Sequence, residues 1–276
     1  QKVINKWYPK KFEKCNINCY EKRNMHPRII VSLTTFPKRI ETVHYVIESI
    51  LMQSIVPDRI ILCLIKNEYP ENYELPESLT KLLSDRFEII WGDENLRPHN
   101  KYFYTMQKYP DDIIITVDDD GFYRKNLIKK LLKSYNRYPK AVSCIRAHKM
   151  KFAKDGSVLP YNKWDYETLT FNKPSHKLLA TGVGGVLYPP HALDKRAFDK
   201  ERIKELCWKA DDIWLKIMEI LNDTPVVVAP SLYKYVIAID HAEERANLMT
   251  DNVHNNQNDI YLKQVCDYYH VSLIGC

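Results

Sequence analysis

Four short, almost uninterrupted apolar runs constrain this chain more than any other feature. They are Ile29-Ile30-Val31-Ser32-Leu33, residues 60–65, Phe87-Glu88-Ile89-Ile90-Trp91 and Ile113-Ile114-Ile115-Thr116-Val117. A strand with one wet face alternates apolar and polar residues, whereas a strand buried on both faces does not. Helix-length segments separate the runs. In residues 40–54, Ile40, Val43, Ile47, Ile50 and Leu51 fall close to one helical face. After the fourth run, Leu127, Ile128, Leu131 and Leu132 share a face, opposite Lys125, Lys129, Lys130 and Lys133. The pattern predicts an α/β fold: a doubly wound, mostly parallel sheet, Rossmann-like, with helices on both faces.

The rest of the chain is less regular. Residues 1–27 are polar, basic and aromatic without a clear period, and read as an N-terminal extension. We expect a single domain over 28–276, with a nucleotide-binding half at 28–146. Residues 147–276 would form an acceptor-binding half and C-terminal tail. Within that second half, 147–177 reads as a long loop region rich in Lys, Tyr and Asn. Residues 178–188 read as a glycine-bearing strand or strand pair, 200–221 as helix, Val226-Val227-Val228 as strand, and the tail after Asp240 as polar.

Composition narrows the function classes. With 45% hydrophobic and 28% charged residues in 276, the chain is not of a disordered type. No run reaches the roughly 18 apolar residues of a membrane span, and no secretory signal is visible. Gln1 in place of an initiator Met fits a trimmed or excised piece, which leaves room for an anchor outside it. A net charge of +6 is too weak to argue for nucleic acid but suits a polyanionic ligand such as a nucleotide. The seven cysteines (15, 19, 63, 144, 207, 266 and 276) form no CxxC pair. Cys63 and Cys144 read as buried thiols, and the odd, scattered set favours a reducing compartment, hence the cytoplasm.

The sharpest chemical feature is Val117-Asp118-Asp119-Asp120-Gly121, directly after the fourth strand. Ligands of open parallel sheets bind beyond the carboxyl ends of the strands. If the chain stays extended, Asp118 and Asp120 project to one side and Asp119 to the other. Two converging carboxylates call for a cation, and a hard divalent ion with oxygen ligands commonly brings substrate phosphates with it. A solvated acidic turn is the plainer reading, but three carboxylates against a buried strand would be a costly way to build one. A calcium loop fails on spacing, since Lys129 stands where its closing Glu belongs.

An apolar strand ending in Asp-Asp-Asp resembles the DxD motif of metal-dependent glycosyltransferases of the GT-A fold. The stretch Ser32-Leu33-Thr34-Thr35-Phe36-Pro37-Lys38-Arg39 is similar to one found in bacterial polysaccharide glycosyltransferases. The likeness continues through Gln53, Pro57-Asp58 and Arg97-Pro98-His99-Asn100-Lys101. The resemblance covers residues 28 to about 260. It implies that Asp120 binds Mn2+ or Mg2+ directly, with Asp118 on the ribose or donor sugar and a further contributor to the metal site. Asp119 would belong to the same donor site. Thr34, Thr35, Pro37 and Arg39 would line the base and ribose pocket, and Lys101 would reach the nucleotide. His241, after the last strand, would complete the metal or diphosphate contacts, with His254 as its competitor.

Only seven glycines occur, three of them in Thr181-Gly182-Val183-Gly184-Gly185-Val186. Such crowding marks close backbone approach or positive φ, and the resemblance would turn Gly184 and Gly185 toward the donor sugar. A tight bulge explains the crowding equally well. Ala210-Asp211-Asp212 opens an amphipathic segment, where acidic residues also suit a helix N-terminus. By resemblance one of this pair deprotonates the acceptor: Asp212 first, Asp211 as its substitute.

The implied activity moves a hexosyl or N-acetylhexosaminyl group from a nucleotide-sugar, with UDP the expected carrier, to a saccharide or lipid-linked saccharide, with inversion. The setting would be capsule or lipopolysaccharide synthesis, cytoplasmic or peripheral at the inner membrane face. Two other readings remain open at this point. Asp118-x-Asp120-Gly121 also resembles the nucleophile loop of haloacid-dehalogenase-type phosphatases, with Asp118 as nucleophile. That loop usually follows the first strand, and here three strands precede it. A non-catalytic sugar-nucleotide-binding relic is the other.

Overall fold

The four apolar runs become strands because each contributes side chains to two separate cores. In the computed structural model, which describes residues 27–168, 173–229, 236–239 and 256–273, the elements follow in this order: β1 (Ile29–Thr34), α1 (Val43–Leu51), β2 (Arg59–Ile65), α2 (Glu77–Thr80), β3 (Phe87–Gly92), α3 (Asn100–Lys108), β4 (Ile113–Thr116), β5 (Gly121–Tyr123), α4 (Leu127–Arg137), β6 (Val142–Cys144), β7 (Ala147–Lys149), β8 (Leu178–Ala180), β9 (Val186–Tyr188), α5 (Lys200–Leu206), α6 (Asp211–Leu221), β10 (Val226–Val228), β11 (Val236–Ala238) and α7 (Gln257–Tyr269). Ile29, Val31 and Leu33 of β1, with Ile60, Leu62 and Leu64 of β2, enter one core alongside α1 and α4. Ile30, Ile61 and Ile114 point the other way, into a core shared with α3 and α6. Period-2 alternation with both faces buried leaves little room for polar residues, and the buried Ser32 of β1 bonds the Thr105 hydroxyl of α3.

Seven strands form one sheet in the order β10-β6-β9-β4-β1-β2-β3. Pairings β4–β1, β1–β2, β2–β3 and β10–β6 are parallel, as expected for a doubly wound α/β fold. The exception is β9, which runs antiparallel between β4 and β6. β3 lies at one edge of the sheet, and its Glu88, Ile89 and Ile90 are only half-buried.

α1 spans 43–51 of the predicted 40–54, preceded by a 3-10 turn at Pro37–Arg39. Its buried Gln53 neighbour accepts the Ile128 N–H and donates to the Arg124 carbonyl, tying α1 to the start of α4. The helix expected over 200–221 is two helices broken at Cys207. β7 and β8 pair as a two-stranded ribbon, with most of the 147–177 loop region between them. The polar tail contains α7. Cys63 and Cys144 are buried free thiols, as expected. The predicted N-terminal extension, apart from residue 27, lies outside the described residues, as do His241, His254 and Asp240. No helix among the described residues is long and apolar enough to cross a membrane.

Candidate active site

A cleft of about 1480 Å³ opens at the carboxyl ends of β1 and β4. Its walls include the turn after β1, the start of α3 with the segment before it, the acidic run after β4, the β8–β9 connection and the N-terminus of α6. All sequence-predicted site residues among the described ones reach its wall except Gly184 and Gly185.

The acidic run is fixed from below. Its Asp118 N–H donates to the hydroxyl of buried Tyr123 at 2.8 Å. Asp119 turns away from its neighbours, as the extended geometry requires. It accepts from Thr35 Oγ1 at 2.6 Å and from the Arg39 guanidinium at 2.6 Å. Burial raises the Asp119 pKa, against the pull of Arg39 and Thr35. Arg39 also stands 3.6 Å from an Asp120 oxygen. Thr34 and Thr35 line the cleft, but their hydroxyls are spent on the Cys63 carbonyl and Asp119. Toward a ligand these hydroxyls can act only as acceptors. Pro37 is exposed at the rim.

Lys101 is the centre of the site. Its ammonium is buried, 2.9 Å from Asp118 Oδ1 and 2.8 Å from Asp211 Oδ2. Burial alone would lower its pKa, but the carboxylates of Asp118, Asp211 and Asp212 outweigh it and raise the pKa well above the ordinary range. The lysine expected to reach a nucleotide is therefore a bridge between the two acidic runs. His99, just ahead of it, bonds the Cys207 carbonyl through Nε2 at 2.8 Å, holding the start of α3 against the loop that leads into α6.

Asp211 and Asp212 occupy the first turn of α6 and diverge. Asp211 is buried against Lys101, whereas Asp212 is half-buried on the cleft wall. Its carboxylate accepts the Gly182 N–H, at 3.2 Å and 3.4 Å to its two oxygens. Burial, then the charge of Asp211, raises its pKa, which suits a group that must take a proton.

Gly182 is the glycine that the site requires. A Cβ there would lie 2.7 Å from Lys101 Nζ and 3.1 Å from Asp118 Oδ1. Gly184 instead packs on Ile145 and Arg146, and Gly185, at φ +87°, packs on Leu127. The crowding of glycines signalled a close approach, but nothing in their spacing says which one makes it. Arg146 and, from the 147–177 loop region, His148, Tyr161 and Tyr166 are also on the wall and carried no signal in the sequence.

Among the described residues no group of three His, Cys, Asp or Glu converges into a ready metal cage. Asp118 and Asp120 supply hard carboxylate oxygens at the cleft. That sparse set fits a divalent ion that takes its remaining ligands from phosphates and water.

The sequence model described as Glycosyl transferase family 2 matches residues 32–200. No curated protein matches the chain. Among solved structures, TarS 1-349 of S. aureus in complex with UDP aligns with a TM-score of 0.48 at 14% identity, covering 89% of this chain and 72% of that one. A CMP:2-keto-3-deoxy-manno-octonic acid synthetase complexed with CTP aligns at 0.45 and 11% identity, covering 82% and 99%. The 4-diphosphocytidyl-2C-methyl-D-erythritol synthase of Anaerococcus prevotii aligns at 0.45 and 16%, covering 80% and 94%.

Proposed function

Because the chain belongs to glycosyl transferase family 2, we propose that the cleft binds a nucleotide-sugar, with UDP its carrier, and transfers a hexosyl or N-acetylhexosaminyl group to a saccharide acceptor. The observation that carries this reading is Lys101 bridging an acidic run at a strand end to a second one at a helix start. One run faces the place of a metal diphosphate, the other the place of an attacking hydroxyl.

Asp120, with Asp118, would hold a divalent Mn2+ or Mg2+ ion. Such an ion, when bound, neutralises charge on the leaving diphosphate. The chain's own residues do the rest. Arg39 and Thr35 clamp Asp119 and so fix the direction of its two neighbours. Lys101 pairs with Asp118 and Asp211 at once and holds the two runs side by side. The Gly182 N–H aims the Asp212 carboxylate, which takes the acceptor proton during direct displacement, with inversion at the anomeric carbon. Asp211 is committed to the ion pair, so Asp212 is the base. His241 remains a proposed contributor to the metal site. The acceptor would be a growing polysaccharide or a lipid-linked saccharide, with the enzyme working in the cytoplasm or at the inner membrane face.

The phosphatase reading of Asp118 loses its footing, because the family match runs through that residue. Calorimetric titration with UDP and GDP, with and without manganese, tests the proposal. Metal-dependent binding of one nucleotide, abolished by Asp120→Ala, is the expected result. Absence of nucleotide binding under every condition overturns it, and binding without transfer to any acceptor returns the relic reading.

A further inference from the structure

One wall of the cleft has no part in the chemistry described so far. The excursion between β7 and β8 puts His148, Tyr161 and Tyr166 together there. Tyr166 keeps 42% of its surface exposed. Its ring meets His148 at a centroid distance of 4.6 Å and Tyr161 at 5.8 Å, both edge-on. His148 and Tyr161 are only 3% and 8% exposed.

The wall is built rather than draped. The Tyr161 N–H donates to Asp259 Oδ1, at the start of α7, at 2.7 Å. Trp164 is buried, with its indole N–H on the Leu159 carbonyl. Glu167 takes a left-handed backbone (φ 50°), and its N–H donates to His148 Nδ1 at 3.0 Å while its carboxylate pairs with Arg146. A non-glycine residue held there carries strain that the surroundings must sustain. With Nδ1 accepting, the neutral His148 ring carries its proton on Nε2. Burial, then neighbouring Arg146, pushes its pKa down to about 4 and keeps it neutral.

Two polar groups open onto the cleft. The Tyr161 hydroxyl makes no hydrogen bond among the described residues, and the His148 ring, which also meets the Ala147 backbone, borders the cleft with it. Tyr161 is also close enough to Asp212 to feel its charge, which together with burial raises the phenol pKa. The Tyr161 hydroxyl therefore sits near the group assigned as base.

We propose that this wall is the acceptor subsite and that it selects a pyranose ring: the sugar lies against Tyr166, while the Tyr161 hydroxyl and His148 Nε2–H bind its hydroxyls and present one of them to Asp212. The inference rests on the glycosyltransferase reading above. An amphipathic ring with an apolar face and polar edges is the ligand that an exposed aromatic face flanked by two fixed donors would recognise. An acyclic polyol has no such face.

The test is saturation-transfer NMR on the full chain with the donor site filled by UDP or GDP, whichever binds, and magnesium. The probes are the methyl pyranosides of glucose, galactose and N-acetylglucosamine, with ribitol as the acyclic contrast. At least one pyranoside should bind and ribitol should not. Tyr166→Ala, at an exposed position, should weaken that binding about tenfold. Tyr161→Phe should weaken it too, and both variants should keep wild-type nucleotide affinity. The inference is overturned if no pyranoside binds, if ribitol binds equally well, or if binding survives Tyr166→Ala, in each case with the nucleotide bound. Failure of the nucleotide itself to bind overturns the glycosyltransferase reading and this inference with it.

Discussion

The two acidic runs of the cleft solve one problem in different ways. Each places adjacent carboxylates in a partly buried wall, and each sets a buried cation against them. In the run after β4 that cation is Arg39, which touches Asp119 and Asp120. In the run that opens α6 it is Lys101, which Asp211 must share with Asp118. The first run is anchored locally, by Arg39, Thr35 and the Tyr123 hydroxyl. The position of the second depends on the first. Coupling of this kind suits a reaction in which leaving group and acceptor must be aligned together.

Removing the shared cation should have the largest effect. Lys101→Met keeps the length of the side chain and leaves Asp118 and Asp211 facing one charge-free methyl group. Breaking one partner of a buried ion network costs about 3–5 kcal/mol, to be read as a lowered denaturant midpoint. Nucleotide binding and turnover should both vanish. A variant within about 1 kcal/mol of wild type would mean that the two runs are independent.

Asp212→Asn should come next, lowering turnover about 10²- to 10⁴-fold, the usual contribution of a general base. Nucleotide affinity should not change, because the amide oxygen can still accept the Gly182 N–H. If Asp212→Asn is fully active and Asp211→Asn is not, the roles within the pair are reversed.

Gly182→Ala sharpens the comparison at the point where the runs meet. The added methyl would lie 2.7 Å from Lys101 Nζ, so the lysine or the β8–β9 connection must move. A displacement of that size should reduce turnover about 10- to 100-fold while leaving the melting temperature nearly unchanged.

Legibility followed the same division. The strands β1, β2 and β4 could be read because burial on both faces writes itself into every residue. The acidic run could be read because its chemistry is local. β5 and β11 could not: each has three residues, and they pair across more than a hundred positions. The antiparallel β9 was seen as a strand, but no periodicity records direction. The bridge through Lys101 was missed because it is a meeting of three distant segments, and a lysine in the first turn of a helix looks like any surface charge. Gly182 was hidden among three near-identical candidates, and the Tyr161, Tyr166 and His148 wall lies in a segment with no repeat to reveal it.

The smallest predicted effect comes from a buried carboxylate that has no cation. Glu48, on the inner side of α1, is 6% exposed and makes no ion pair or side-chain hydrogen bond among the described residues. Burial raises its pKa from 4.5 to about 7, with only a distant pull from Lys81 in the other direction. The sign of the linkage follows. Below about pH 4.5 the acid is protonated in both folded and unfolded chains, and its burial carries no charge penalty. As pH rises toward 7 the unfolded chain loses the proton first, so stability falls through that window. Discounted for partial solvent access, the loss is about 1–2 kcal/mol. Glu48→Gln should therefore leave stability unchanged near pH 4 and raise it at pH 8 by that amount, measured by urea unfolding at both pH values. An equal effect at the two would mean that Glu48 is ionised in the folded protein. Burial of Asp119 would then not call for Arg39 beside it, and the contrast between the runs would reduce to geometry alone.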